Sequence, residues 1–121
     1  MRILIADDND LVRQGVIELL RSEAGWEVCG EAQNGLEALQ KARELLPDLV
    51  VLDISMPGIS GLEVARRLRK EVPQTKIIVI SQHDPLHMLP RVVEAGGQAC
   101  VDKGRLSTDL LTNIKNISGR D

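Results

Sequence analysis

Short apolar runs recur along the chain, and between them apolar residues return at helical spacing. The runs are "ILIA" (3–6), "WEVCGEA" (26–32), "LVVLD" (49–53), "KIIVIS" (76–81) and "QACVD" (98–102). β-branched residues enrich the third and fourth, which favours strands. Leu11, Val12, Val16, Leu19 and Leu20 share one face of the first intervening stretch. Leu36, Leu39, Ala42 and Leu46 do so in the second, Leu62, Ala65, Leu68 and Val72 in the third, and Leu110, Leu111, Ile114 and Ile117 in the last. Such spacing predicts amphipathic helices. Asn34, and Ser107 or Thr108, are expected N-caps; Gly25, Pro47 and Pro73 are expected stops.

The alternation of strand and helix predicts an α/β domain, a parallel sheet with helices on both faces. Continuous apolar character puts the third and fourth runs at the sheet centre. The second run alternates with Glu27 and Glu31, as an edge strand would. The segment "DPLHMLPRVVEAG" (84–96) breaks the pattern, because Pro90 in mid-helix loses a hydrogen bond and clashes with the preceding turn. A late helix start is therefore expected, with Pro90 near its first position and 84–89 irregular; a kinked helix from about 86 is the other reading. Gly96-Gly97 are expected to end that helix.

Composition narrows the class. A chain of 121 residues suits one domain. Trp26 is the only aromatic residue, so the core must be aliphatic. Trp26 should pack at the start of the edge strand, and it would report metal binding if it lay near the site. The net charge of −3 and the lack of a basic cluster argue against direct contact with nucleic acid. Cys29 and Cys100 are too few and too far apart for a zinc framework and read as reduced, buried thiols of a cytoplasmic protein. The acidic turn in "MRILIADDND" argues against export, and no apolar stretch is long enough to span a membrane.

Candidate chemistry gathers at the strand ends. Asp7 and Asp8 follow the first strand, Asp53 ends the third, Ser81 the fourth, and Lys103 follows the fifth. In parallel α/β sheets, ligands bind at the carboxyl ends of the strands, where the winding direction switches. Three carboxylates there would repel one another without a cation, and hard oxygen ligands suit Mg²⁺ or Mn²⁺. A divalent ion, a lysine and a hydroxyl together suit an anion, such as a phosphoryl group. Plainer readings exist: Asp7 and Asp8 as caps of the first helix, Asp53 as a turn-former before Pro57-Gly58, Ser81 as a strand end, and Lys103 as a solvated lysine.

The set Asp7-Asp8, "DISMPG" (53–58), Ser81 and Lys103 resembles the receiver domain of bacterial two-component response regulators. The resemblance runs from Arg2 to about Ile117, and "LVRQGVIELL" is most similar to receivers of the LuxR/NarL type. It implies a flavodoxin-like (βα)5 fold with strand order 2-1-3-4-5 over residues 1–117, and a tail or the start of a linker at 118–121. It implies that Asp53 accepts a phosphoryl group from a sensor histidine kinase. It further implies Mg²⁺ held by Asp8, Asp53 and the carbonyl of Ser55, with Asp7 acting through water. Lys103 would pair with the phosphoryl oxygens, and Ser81 would move to them as the switch residue.

The family usually carries Tyr or Phe where Cys100 stands; the plainer reading is a small buried thiol filling that space, and the other is coupling through that strand that is weaker or uses the 84–89 segment. His83 is a candidate for tuning the lifetime of the phosphate; a solvated loop residue is its plainer reading, and His87 reads as a surface residue. The resemblance implies a signalling switch, not an enzyme turning over an external substrate. Output would come from an attached DNA-binding domain outside this chain, or the chain would act as a stand-alone regulator; a homodimer formed on phosphorylation is a candidate assembly. An Mg²⁺-dependent phosphohydrolase would need a second acid and a cap, and a flavodoxin-like binding module would need a phosphate-cradling loop. Neither is visible in the sequence.

Overall fold

The structure is a computed structural model and describes residues 1–118. It contains β1 (Arg2–Ala6), α1 (Asp10–Arg21), β2 (Glu27–Ala32), α2 (Gly35–Leu45), β3 (Leu49–Asp53) and α3 (Gly61–Glu71). These are followed by β4 (Lys76–Ser81), α4 (Pro85–Glu94), β5 (Ala99–Asp102), a 3₁₀ turn (Lys103–Arg105) and α5 (Leu106–Ile117). Ser118 caps α5, and 119–121, the rest of the expected tail, lie outside the described residues.

All strand pairs are parallel, in the order β2-β1-β3-β4-β5. The expected α/β architecture and strand order are present, with β2 on an edge. Alternate residues of each strand supply two cores. Leu4, Ala6, Val50 and Leu52 face α2, α3 and α4; Ile3, Ile5, Leu49 and Val51 face α1 and α5. This two-sided burial explains why β3 has no polar residue before its last position. Every residue of β3 is buried, including Asp53.

Several expectations need correction. Leu11 is 85% exposed and Leu36 and Leu46 are also exposed; α1 instead buries Arg13, Val16, Ile17 and Leu20, and α2 buries Gly35, Ala38, Leu39 and Ala42. Val16 and Leu20 of the first expected face and Leu39 and Ala42 of the second are buried, so the buried faces overlap those read off the leucines without coinciding with them. Ser107 and Thr108 do not cap α5, which continues from the 3₁₀ turn, itself capped by Asp102. Asn34 does cap α2, its side chain accepting from the Glu37 N–H at 2.9 Å.

The late start of α4 is also wrong. Asp84 caps the helix, Pro85 lies in its first turn, and Pro90 is inside it. The carbonyl four residues before Pro90 belongs to Leu86, an 82% exposed residue, where water is at hand to replace the missing N–H. An irregular 84–89 segment is therefore not available to carry a signal. Neither cysteine is fully buried: both are partly buried. Cys29 occupies the irregularity in the β1–β2 ladder, where Ile3 pairs with Val28 and Leu4 with Gly30. Trp26 precedes β2 at the amino edge of the sheet, opposite the strand ends that carry the candidate residues, so it cannot report on them directly.

Candidate functional site

The first, third and fifth strands end in a common crevice. Asp7 directly follows β1, Asp53 is the last residue of β3, and Lys103 directly follows β5. One oxygen each from Asp7, Asp8 and Asp53 lie within 4.8 Å of one another. Asp7 and Asp53 are buried, while Asp8 is exposed at the mouth. Lys103 Nζ lies 3.3 Å from Asp7 Oδ2 and 3.1 Å from Asp53 Oδ2.

Local structure fixes each group. Asp7 Oδ1 accepts from the Asn9 N–H at 2.8 Å, and Asn9 in turn caps α1 by accepting from the Val12 N–H. Asp7 and Asp8 therefore do not cap α1 themselves. Asp53 Oδ1 accepts from the Ser55 N–H at 3.1 Å, which turns the chain out of β3. Gly61, at the start of α3, lies against the backbone of this turn: a Cβ there would fall 2.3 Å from the Asp53 carbonyl oxygen. Ser81 ends β4 fully buried, its hydroxyl accepting from the His83 N–H at 3.0 Å. The β4–β5 register pairs Ser81 with Asp102, one residue before Lys103.

The remaining oxygens are poorly satisfied. Asp7 Oδ2 and Asp53 Oδ2 are buried and accept no hydrogen bond; Lys103 attracts both by charge without aligned hydrogen-bond geometry. Burial pushes the Asp53 carboxyl up to about 6 from the usual 3.8. Nearby Asp7 adds to the rise, and the Ser55 N–H and Lys103 offset it only in part. Burial works to lower the Lys103 value, but Asp53 and Asp7 hold it above that of an ordinary lysine.

When all are ionised, three carboxylates and one ammonium leave two negative charges in one crevice. Orphaned buried carboxylate oxygens and an all-oxygen donor set fit a hard divalent cation. The acidic cluster is thus a fitting cation site, with Asp7, Asp8 and Asp53 as the side chains able to hold one.

Of the other candidates, Cys100 pairs with Val79 and packs partly buried against the core that includes α4. His83 and His87 line a groove of about 510 Å³ between α4 and the turn after β3, with Ser55 and Met88.

Arg13 was not anticipated. Its guanidinium is buried on α1 and bonds the Asp7 carbonyl at 2.8 Å, Asp10 Oδ1 at 2.5 Å and Glu31 Oε1 at 2.9 Å. The signal was present in the sequence, since positions 13, 16, 17 and 20 share a helical face and only the first is charged.

The family described as the response regulator receiver domain matches residues 3–115. The response regulator GacA of Pseudomonas viridiflava is 38% identical over 119 residues, 97% of this chain and 55% of that protein. UvrY of Escherichia coli is 32% identical over 117 residues, 97% of this chain and 54% of that protein. The chain thus spans about half the length of these relatives. Among solved structures, the receiver domain of the putative response regulator NarL from Mycobacterium tuberculosis superposes with a TM-score of 0.90. It is 31% identical, and the match covers 98% of this chain and 97% of that one.

Proposed function

Because this chain belongs to the response regulator receiver domain family, we propose that Asp53 is the phosphoacceptor of a signalling switch and that its phosphodonor is a histidine kinase. The observation that carries this reading is the buried Asp53 Oδ2, which accepts no hydrogen bond and is faced by Lys103. An oxygen left without hydrogen bonds inside a fold is costly, and its persistence in a cleft points to use.

Asp53 Oδ2 attacks the phosphorus of a phosphohistidine. The O–P bond forms, the N–P bond breaks, and the imidazole leaves with the electron pair and takes up a proton. The nucleophile must be ionised to attack, whereas burial favours its protonated form below about pH 6. Asp8, Asp53 and the Ser55 carbonyl, with Asp7 acting through water, would hold Mg²⁺, which would supply positive charge against the transferring group. Lys103, already directed at Asp53 Oδ2, pairs with a phosphoryl oxygen. β3 holds the acceptor rigidly, since all of its residues are buried.

Ser81 is the switch residue. Its hydroxyl exchanges the His83 N–H for a phosphoryl oxygen and draws the β4–α4 turn inward. Cys100, half-buried on β5, yields to that movement without the volume of a ring. The domain acts as a phosphoacceptor whose only turnover is its own gain and loss of the phosphoryl group. It belongs to a longer bacterial transcription regulator with a DNA-binding part; a stand-alone regulator is the second form of the same reading. No helix among the described residues is long and apolar enough to cross a membrane.

Intact-protein mass spectrometry after incubation with Mg²⁺ and acetyl phosphate tests this reading. One added phosphoryl group, absent when EDTA replaces Mg²⁺, is expected; a metal-independent adduct contradicts it.

A further inference from the structure

We propose that Arg13 is a positioning residue that fixes the β1–α1 turn so that Asp7 and Asp8 meet Asp53 at cation-binding distance. The proposal rests on the cation-site reading above. Arg13 is 5% exposed, and a guanidinium is rarely buried without several partners. Its three nitrogens address three elements: Nη1 bonds the Asp7 carbonyl, Nη2 bonds Asp10 in α1, and Nε bonds Glu31 in β2. Lys41 of α2 donates in turn to the Glu31 carbonyl.

Asp7 is consequently held at each of its polar atoms but one. Its N–H donates to the Ala32 carbonyl at 3.0 Å, its carbonyl accepts from Arg13, and its Oδ1 accepts from the Asn9 N–H. Only Oδ2 remains free of hydrogen bonds, and it points to the crevice shared with Lys103 and Asp53. The carbonyl of Asp7 is also the last backbone group before Asp8, so losing its buried donor loosens both acids at once. A lysine could reach one of the three acceptors but not span them, because the fork geometry is particular to arginine.

The sign of the effect separates positioning from plain electrostatics. Arg13 is a positive charge near a cation site. If charge alone mattered, removing it would tighten Mg²⁺ binding; if it positions the turn, removing it weakens binding despite the charge change. Calorimetric titration of Mg²⁺ into the metal-free protein at pH 8 decides. Arg13→Met is expected to bind Mg²⁺ about tenfold more weakly than wild type, the scale on which residues behind metal ligands act. Arg13→Lys, which keeps the charge, is expected to fall between the two.

At saturating Mg²⁺, acceptance of a phosphoryl group from acetyl phosphate should recover in both variants. Unchanged or tighter Mg²⁺ binding by folded Arg13→Met overturns the proposal, as does a phosphorylation defect that no metal concentration restores. Where Arg13→Met does not fold, full affinity in Arg13→Lys overturns it equally. A wild type that binds no Mg²⁺, or Asp8→Asn binding as tightly as wild type, overturns the site reading itself and is distinguishable from failure of Arg13 alone.

Discussion

Asp53→Asn should make the metal-free protein more stable while abolishing its proposed chemistry. The substitution keeps the shape of the side chain and removes its charge. The Asp53 carboxyl sits at about 6 in the fold against 3.8 outside it, even with Lys103 3.1 Å away. A raised value means that the fold favours the protonated acid. That preference is fully present below about pH 4, where both states are protonated, and is lost as pH rises through about 6.

At 1.36 kcal/mol per pKa unit, the ionised carboxylate costs the metal-free fold about 2–3 kcal/mol at pH 8. Asn carries no such cost. The usual unfolding entropy for a chain of this length, about 0.25 kcal/mol/K, converts the gain into about 10 °C. Thermal and urea denaturation in EDTA at pH 8 and pH 4 provide the assay. Asp53→Asn should exceed wild type by about that margin at pH 8 and nearly match it at pH 4. Equal or lower stability of the variant at pH 8, or a gain of the same size at both pH values, would refute the account of Asp53 as a carboxylate held ionised against its surroundings.

Other consequences follow from the same geometry. Millimolar Mg²⁺ should raise the wild-type midpoint at pH 8 and leave Asp53→Asn and Asp8→Asn nearly unmoved, since mass action stabilises only a fold that binds the ion. Lys103→Met should lower stability at pH 8 by about 3 kcal/mol and less at pH 4, because it strips the cation from the buried Asp53 carboxylate, which is protonated below about 6; a pH-independent loss in urea titrations would count against this. Gly61→Ala should cost about 3 kcal/mol, as its Cβ would collide with the Asp53 carbonyl oxygen and the Ile54 Cα, neither of which can swing away. Pro90→Ala should stabilise by about 1 kcal/mol in equilibrium denaturation by restoring an N–H donor toward the exposed Leu86.

The sheet was legible because its strands carry the strongest physical signal in the chain. "LVVLD" and "KIIVIS" coincide with β3 and β4 to the residue, since a strand buried on both faces tolerates polar side chains only at its first and last positions. The acids and the lysine were legible for a related reason: each stands where such a run stops. Helix faces were harder. Leu11 and Leu36 are hydrophobic yet exposed, so residue type alone assigned the wrong side at both, and Arg13 is charged yet buried, which residue type gives no reason to expect. Arg13 becomes comprehensible only through its acceptors on α1, on β2 and after β1, which lie apart in sequence. Pro90 was misjudged because the local rule against mid-helix proline yields on an exposed stretch such as that at Leu86, where water can replace the lost donor. Gly61 was passed over because nothing local indicates that α3 begins against the backbone at Asp53.

The central claim is that Asp53 carries the phosphoryl group. Borohydride reduces an acyl phosphate to an alcohol, so treating the Mg²⁺- and acetyl-phosphate-incubated protein with it, then sequencing its peptides by mass spectrometry, reads the modified position directly. Homoserine at position 53 in wild type, and at no position in Asp53→Asn, is the predicted result. Reduction at Asp7 or Asp8, or an adduct that persists in Asp53→Asn, would contradict it.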